Sequence, residues 1–313
     1  MNGTHDQRRR RSRSPIVGLA TLGIVAASCT PAWSPHPNAS SADRYVSLGD
    51  SWVSGPLIGR QVGDPIDCGR SDENFPSLIA QELDVTAFTD VSCGGGDTED
   101  LFKPGKANLG GRTAPQFDAL RADTTLVTVG MGGNDAKISS LALKCVNVLP
   151  IPLGPPPFGQ PCVERFTAGG VDQISAKIAA TRPKIEKALA EIHRRSPVAR
   201  VYVLGYGAAL PDTGDGCWPS VPVLAPDVSF IRSKMKEINT MLAEVAAASG
   251  DHFVDLWSMT TGHDMCQPRG QSWLNAVSLD PAGIPGHPNI LYHHNVAPLI
   301  AAQMRGDIAD PKN

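Results

Sequence analysis

Four short blocks bring hydroxyl, amide and imidazole chemistry next to glycines. In Tyr45-Val46-Ser47-Leu48-Gly49-Asp50-Ser51, an apolar run ends at Leu48, Gly49 allows a tight turn, and Ser51 stands where a helix should begin. Such a turn puts a hydroxyl at the C-terminal edge of a sheet, where open α/β folds bind ligands. The free amides of the helix start would favour negative charge developing on a substrate. Read alone, a serine after Gly-Asp is simply a helix N-cap. It does not stand alone. Val129-Gly130-Met131-Gly132-Gly133-Asn134-Asp135 follows another apolar run, and a turn explains its glycines but not Asn134, an uncharged donor. Ser92-Cys93-Gly94-Gly95-Gly96 can aim a backbone N–H into the same crevice, and Gly286-His287-Pro288-Asn289 supplies an imidazole. A serine hydroxyl needs a neighbouring base to attack at neutral pH. Histidine can take its proton and return it to a leaving group.

The elements that must position these blocks alternate. Short apolar runs at 45–48, 85–88, 125–129, 201–204 and 253–256 are separated by helix-length intervals, which predicts five parallel strands with helices on both faces. One helix is predicted over 229–249, with Phe230, Ile231, Ile238, Met241, Leu242 and Val245 near one stripe and Asp227 or Ser229 as cap. Lys234 falls on that stripe as an exception. A second covers 171–194, where Pro183 marks a kink or a new start. The stretches 56–76, 145–166 and 207–227 are long and helix-poor, and each carries one or two cysteines. Loops of that length are usually functional. Asp50 and Asp135 read as turn stabilisers rather than acids. Neither an internal repeat nor a second domain is evident.

Composition narrows the class. The chain has 313 residues, 41% apolar and 19% charged, which fits neither disorder nor a coiled coil. Its 31 glycines and 27 prolines follow no collagen period and indicate turn-rich connections. Five arginines between Arg8 and Arg13, the apolar stretch Pro15 to Ala27 and the small residues Ala26-Ala27-Ser28 have the three parts of an export leader, 1–28. Thirteen apolar residues reach only ~20 Å as a helix, short of a membrane span. Five arginines and one aspartate precede residue 29, so loss of the leader takes the net charge from −3 to −7. An acidic product has no electrostatic case for nucleic acid. Cys29 follows the leader as in a bacterial lipoprotein box, although Ala26 replaces the usual leucine. The product is therefore either free or lipid-anchored to the cell envelope through Cys29. A Pro/Ser-rich tether at 29–43, one domain at 44–306 and a tail at 307–313 complete the layout. The domain is read as a monomer.

Six further cysteines, Cys68, Cys93, Cys145, Cys162, Cys217 and Cys266, form an even set that reads as disulfides in an exported chain. Sequential pairing would close three local loops, but six cysteines permit roughly 15 pairings. There is no C-x₂-C pair for zinc. His293 and His294 do not extend His287 into a metal cluster, because adjacent histidines on a helix face different directions.

Together, Gly49-Asp50-Ser51, the glycine at 95, Gly132-Gly133-Asn134-Asp135 and His287-Pro288 resemble the blocks of the SGNH/GDSL hydrolases in order and approximate spacing, over roughly residues 44–305. The cysteine layout is similar to the family's secreted actinobacterial lipase and esterase branch. The resemblance implies a flavodoxin-like three-layer α/β/α fold with a central five-stranded parallel sheet, acting without a cofactor on carboxylic esters. Apolar loop material around 146–153 and 221–225 favours a fatty-acyl or lipid ester. The resemblance also implies the disulfides Cys68–Cys93, Cys145–Cys162 and Cys217–Cys266. It makes Ser51 the nucleophile and His287 the base, with the Ser51 amide, the Gly95 amide and the Asn134 side chain as oxyanion hole. Two positions depart from the pattern. Where many members carry an aspartate three residues before the histidine, this chain has Ile284. The orienter of His287 is then a backbone carbonyl near Ile284, the Asp280 side chain, or nothing strong; the carbonyl is the expected one. Tyr292 stands where a glycine is frequent. The alternative functions are an acyltransferase or phospholipase using the same site, or an exported binding protein that has lost catalysis.

Overall fold

The computed structural model describes Met1 and residues 43–149 and 153–309. The rest of the leader, the tether up to residue 42 with Cys29, and residues 310–313 lie outside the described residues. Five strands form one parallel sheet: β1 (Arg44–Gly49), β2 (Ala87–Asp90), β3 (Leu126–Gly130), β4 (Arg200–Leu204) and β5 (His252–Val254). Their spatial order is β2-β1-β3-β4-β5, the flavodoxin-like winding. β1, β3 and β4 are buried almost throughout, which is why they read as continuous apolar runs.

Helices cover the sheet in two groups. α1 (Ser51–Ser54), α2 (Phe75–Glu82), α3 (Thr98–Phe102), α4 (Ile138–Lys144), α5 (Val163–Phe166), α6 (Gln173–Arg195), α7 (Ala225–Ser249), α8 (Leu256–Thr260) and α9 (Ile290–Ala309) follow in chain order. α6 packs against α7, and α2 against α9. Ile174, Ile178, Ile185, Leu189 and Ile192 of α6 and Phe230, Ile231, Ile238, Met241, Leu242 and Val245 of α7 are all in the core. Burying each such side chain contributes roughly 1.5–3 kcal/mol. Lys234 lies on that stripe because its ammonium meets Asp172 at 2.6 Å and Glu237 at 2.8 Å.

Several expectations need correction. α6 is continuous from Gln173 to Arg195, so no new helix starts at Pro183. Proline removes one ladder bond, but Pro183 and Ala179, whose carbonyl loses its donor, are both exposed to water. α7 begins at Ala225 with Pro226 in its first turn, and neither Asp227 nor Ser229 caps it. Asp227 instead accepts the amides of Cys162 and Val163, both at 2.9 Å, and so pins α5. β2 starts two residues late, because the Val85 amide is spent on the Ala80 carbonyl as the chain leaves α2. β5 stops at Val254, since Asp255 caps α8. α9 runs on to Ala309, and within it Asp307 accepts the Tyr202 hydroxyl at 3.0 Å.

Candidate active site

The turn that carries Ser51 is built from three constraints. The Asp50 amide donates to the Gly130 carbonyl at 3.0 Å, continuing the β1–β3 ladder past the strand ends. The Asp50 carboxylate accepts the Trp52 amide at 2.9 Å, which starts α1 at Ser51. Gln116 clamps Gly49 from both sides, accepting its amide at 2.9 Å and donating to its carbonyl at 3.0 Å. No larger residue fits at 49, where an added Cβ would lie 2.4 Å from Val53 Cγ2. Ser51 ends up 8% exposed at the sheet's C-terminal edge, reachable but rigidly held.

His287 arrives from the far end of the chain. It pairs with Asn275 in a two-residue antiparallel ribbon, Leu274–Asn275 with His287–Pro288. Its Nε2 lies 2.9 Å from Ser51 Oγ. Its Nδ1 lies 2.9 Å from the carbonyl of Pro285, so the proton sits on Nδ1 and Nε2 is left to accept from the serine. Gly286, at φ 71°, makes the turn that folds this carbonyl back onto its own histidine. The orienting carbonyl is thus that of Pro285, one residue beyond Ile284. Asp280 does not reach the imidazole; it pairs with Arg269. Burial lowers the His287 pKa below its usual value, and the Pro285 carbonyl opposes that shift.

The other two residues expected at the site, Gly95 and Asn134, lie on two further loops. The Cys68–Cys93 disulfide ties down the first, helped by Gly94 N–H to Cys68 O at 2.8 Å and Cys93 N–H to Gly49 O at 3.0 Å. Gly95 adopts φ 80° there and is exposed. Among the described residues, neither the Gly95 nor the Ser51 amide has an acceptor. Asn134 Nδ2 donates one hydrogen to Gly96 O at 2.8 Å, while Oδ1 accepts the Ser139 hydroxyl at 3.1 Å. That fixes the flip of the amide and, among the described residues, leaves its second N–H without an acceptor. Asp135 is a structural acceptor, taking the amide and hydroxyl of Thr98 at the start of α3 and the ammonium of Lys184 at 2.8 Å.

The remaining disulfides are Cys145–Cys162 and Cys217–Cys266, so all six cysteines pair sequentially. His293 is buried with its Nδ1 accepting the Phe75 amide, and burial pushes its pKa down to about 3. His294 faces Glu73 at 3.0 Å. Tyr292 packs edge-on against Trp52 and fits because Gly207 opposite it has no side chain. The apolar segments part company: Val221 and Val223 belong to the core, whereas Val148 and Leu153 are exposed. Two residues central to the geometry, Gln116 and Tyr206, carry no motif that would mark them in the sequence.

Residues 47–294 match the GDSL-like Lipase/Acylhydrolase family. Lipase 2 of Streptomyces coelicolor is 32% identical over 292 residues, spanning 92% of this chain and 95% of that one. A solved extracellular lipase from Streptomyces rimosus is 26% identical with a TM-score of 0.61, covering 83% of this chain and 98% of its own. Phospholipase A1 from Streptomyces albidoflavus, 24% identical over 84% of this chain and 99% of that one, shares the fold with a TM-score of 0.68. Three disulfides and such relatives mark an extracytoplasmic, secreted-type protein. A serine in hydrogen-bond contact with an oriented imidazole is what acyl transfer requires, and the chain belongs to the GDSL-like lipase/acylhydrolase family, a carboxylic-ester hydrolase.

Proposed function

We propose that this hydrolase cleaves fatty-acyl esters by two-step acyl transfer at Ser51. The carrying observation is the 2.9 Å contact of Ser51 Oγ with His287 Nε2, whose Nδ1 is held by Pro285. The Ser51 oxygen attacks the ester carbonyl as its proton passes to His287 Nε2. The carbonyl oxygen, now negative, is stabilised by the Ser51 and Gly95 amides and the free Asn134 N–H. Collapse breaks the bond to the alkoxy oxygen, which takes the proton from His287 and leaves. Water then attacks the acyl-serine by the same route and releases the acid. The neutral Pro285 carbonyl fixes the tautomer without adding a negative charge beside the imidazolium.

The fatty-acyl preference is supported by Leu143, Val148, Leu153, Phe158 and Trp218, all exposed on α4 and the disulfide-tied loops that follow Asn134. Export through the leader 1–28 yields a monomer that is either free or anchored at Cys29; palmitate incorporation lost in Cys29→Ser would identify the anchored form. The principal test is initial rates on p-nitrophenyl esters from C2 to C16, comparing the disulfide-intact protein with Ser51→Ala. The expected result is an optimum at C8 or longer and complete loss in the variant. An optimum at C2 would overturn the acyl-chain preference, and retained activity in Ser51→Ala would overturn the nucleophile.

A further inference from the structure

Tyr206 follows β4 after Gly205, is 5% exposed, and is held from every side. Asn239 of α7 clamps its backbone, accepting its amide at 2.7 Å and donating to its carbonyl at 2.7 Å. The edge of Trp52 packs on its ring, with centroids 5.4 Å apart. Its hydroxyl donates to Asp50 Oδ2 at 2.7 Å and accepts the Gly133 amide at 2.7 Å. Gly133 must be glycine for this approach, because a Cβ there would sit 2.8 Å from the Tyr206 oxygen.

These bonds run one way: Gly133 N–H to Tyr206 O, then Tyr206 O–H to the Asp50 carboxylate. A phenol has a single proton, so the Gly133 amide can be accepted while that proton is given only if Asp50 presents an acceptor. One end of the chain precedes Ser51, and the other precedes Asn134. The geometry points to Tyr206 as a positioning residue that locks the nucleophile turn to the turn carrying the oxyanion donor. Tyr206 touches no reacting atom, and its role rests on the acyl-transfer reading above. The link matters because a displacement of about 1 Å at such a centre can cost ~100-fold in rate.

The acceptor end is sensitive to protonation. Burial raises the Asp50 pKa to about 6, against the lowering effect of the Tyr206 and Trp52 bonds. Asp135 raises it further, and the Asp50 charge in turn helps push up the pKa of the neighbouring buried Tyr292. A protonated Asp50 offers Tyr206 a donor where an acceptor is needed.

Two variants break the chain at different links. Tyr206→Phe removes the middle. Asp50→Asn keeps the shape and the oxygen that caps Trp52, but turns an NH₂ toward the phenol. Each should lower kcat by about 10- to 100-fold with KM within about 2-fold. In Tyr206→Phe the part of the acid limb that belongs to Asp50 should disappear from the kcat profile, because protonating Asp50 then has no chain left to break. The double variant should be no worse than the poorer single one, since both sever one chain. Unchanged kcat and pH profile in Tyr206→Phe, or single effects that multiply in the double variant, would overturn the proposal. Should one variant fail to fold by circular dichroism, the kcat and KM of the other decide alone. Organophosphonate labelling of the wild type separates the two readings. No adduct at Ser51 defeats the acyl-transfer mechanism itself, whereas an adduct with an indifferent Tyr206→Phe defeats only the positioning role.

Discussion

Asn134→Ala should damage turnover while sparing binding and fold. The amide has two Nδ2 hydrogens: one is taken by Gly96 O at 2.8 Å, and the flip is held by Ser139 on Oδ1 at 3.1 Å. Only the second hydrogen is left for the oxyanion. Losing such a donor costs about 3–4 kcal/mol of transition-state stabilisation, or roughly 100- to 1,000-fold in kcat. An ester carbonyl carries little charge before attack, so KM should stay within about 3-fold. The variant also forfeits two partly exposed neutral hydrogen bonds, about 1–2 kcal/mol of stability, which a domain of this size tolerates. Ser139→Ala is the control, because it frees Oδ1 but leaves the Gly96 bond to hold the donor; its kcat should remain within about 3-fold. The assay is steady-state hydrolysis of a p-nitrophenyl ester, with thermal unfolding in parallel. A kcat for Asn134→Ala above about one fifth of wild type would refute the assignment. A raised KM at constant kcat would instead mean that Asn134 binds ground state and transition state alike.

Three further outcomes follow from the same structure. As the proposed base His287 works only when neutral, and burial holds its pKa below 6.5, so kcat/KM should climb with pH and reach its plateau by neutrality; an acid limb centred above 6.5 in a pH–rate profile would contradict this. Cys217–Cys266 closes a longer loop, separation 49, than the other two bonds, so replacing both cysteines with serine should cost about 4 kcal/mol in denaturant unfolding, against about 3 kcal/mol for Cys145–Cys162 at separation 17. Equal costs would argue against the chain-entropy account for this protein. Asp227→Ala should strip the buried acceptor from the Cys162 and Val163 amides, lowering stability by ~1–3 kcal/mol with kcat unchanged, as read from thermal unfolding and ester hydrolysis together.

What was legible in the sequence, and what was not, divides along a physical line. Ser51 and Asn134 announce themselves because each follows a strand buried on both faces, so an apolar run meets glycines at the sheet's edge. The long helices are legible from their stripes, and even Pro183 fails to break one of them because its lost bond faces water. The orienter of His287 leaves almost no trace. It is a main-chain oxygen, present at every position, and only the glycine at 286 with φ 71° marks the turn that aims it. Asp280, the visible candidate, is drawn off by Arg269, a partner eleven residues earlier that no periodicity connects to it. Tyr206 and Gln116 are hidden for another reason: each acts on residues far away in the chain, Asp50 and Gly133 for one and Gly49 for the other. The side chains proposed to meet substrate sit just past strand ends, where local sequence signals the turn. Side chains that hold those turns to one another are chosen by the packing of the sheet, and their roles become visible only when the strands lie side by side.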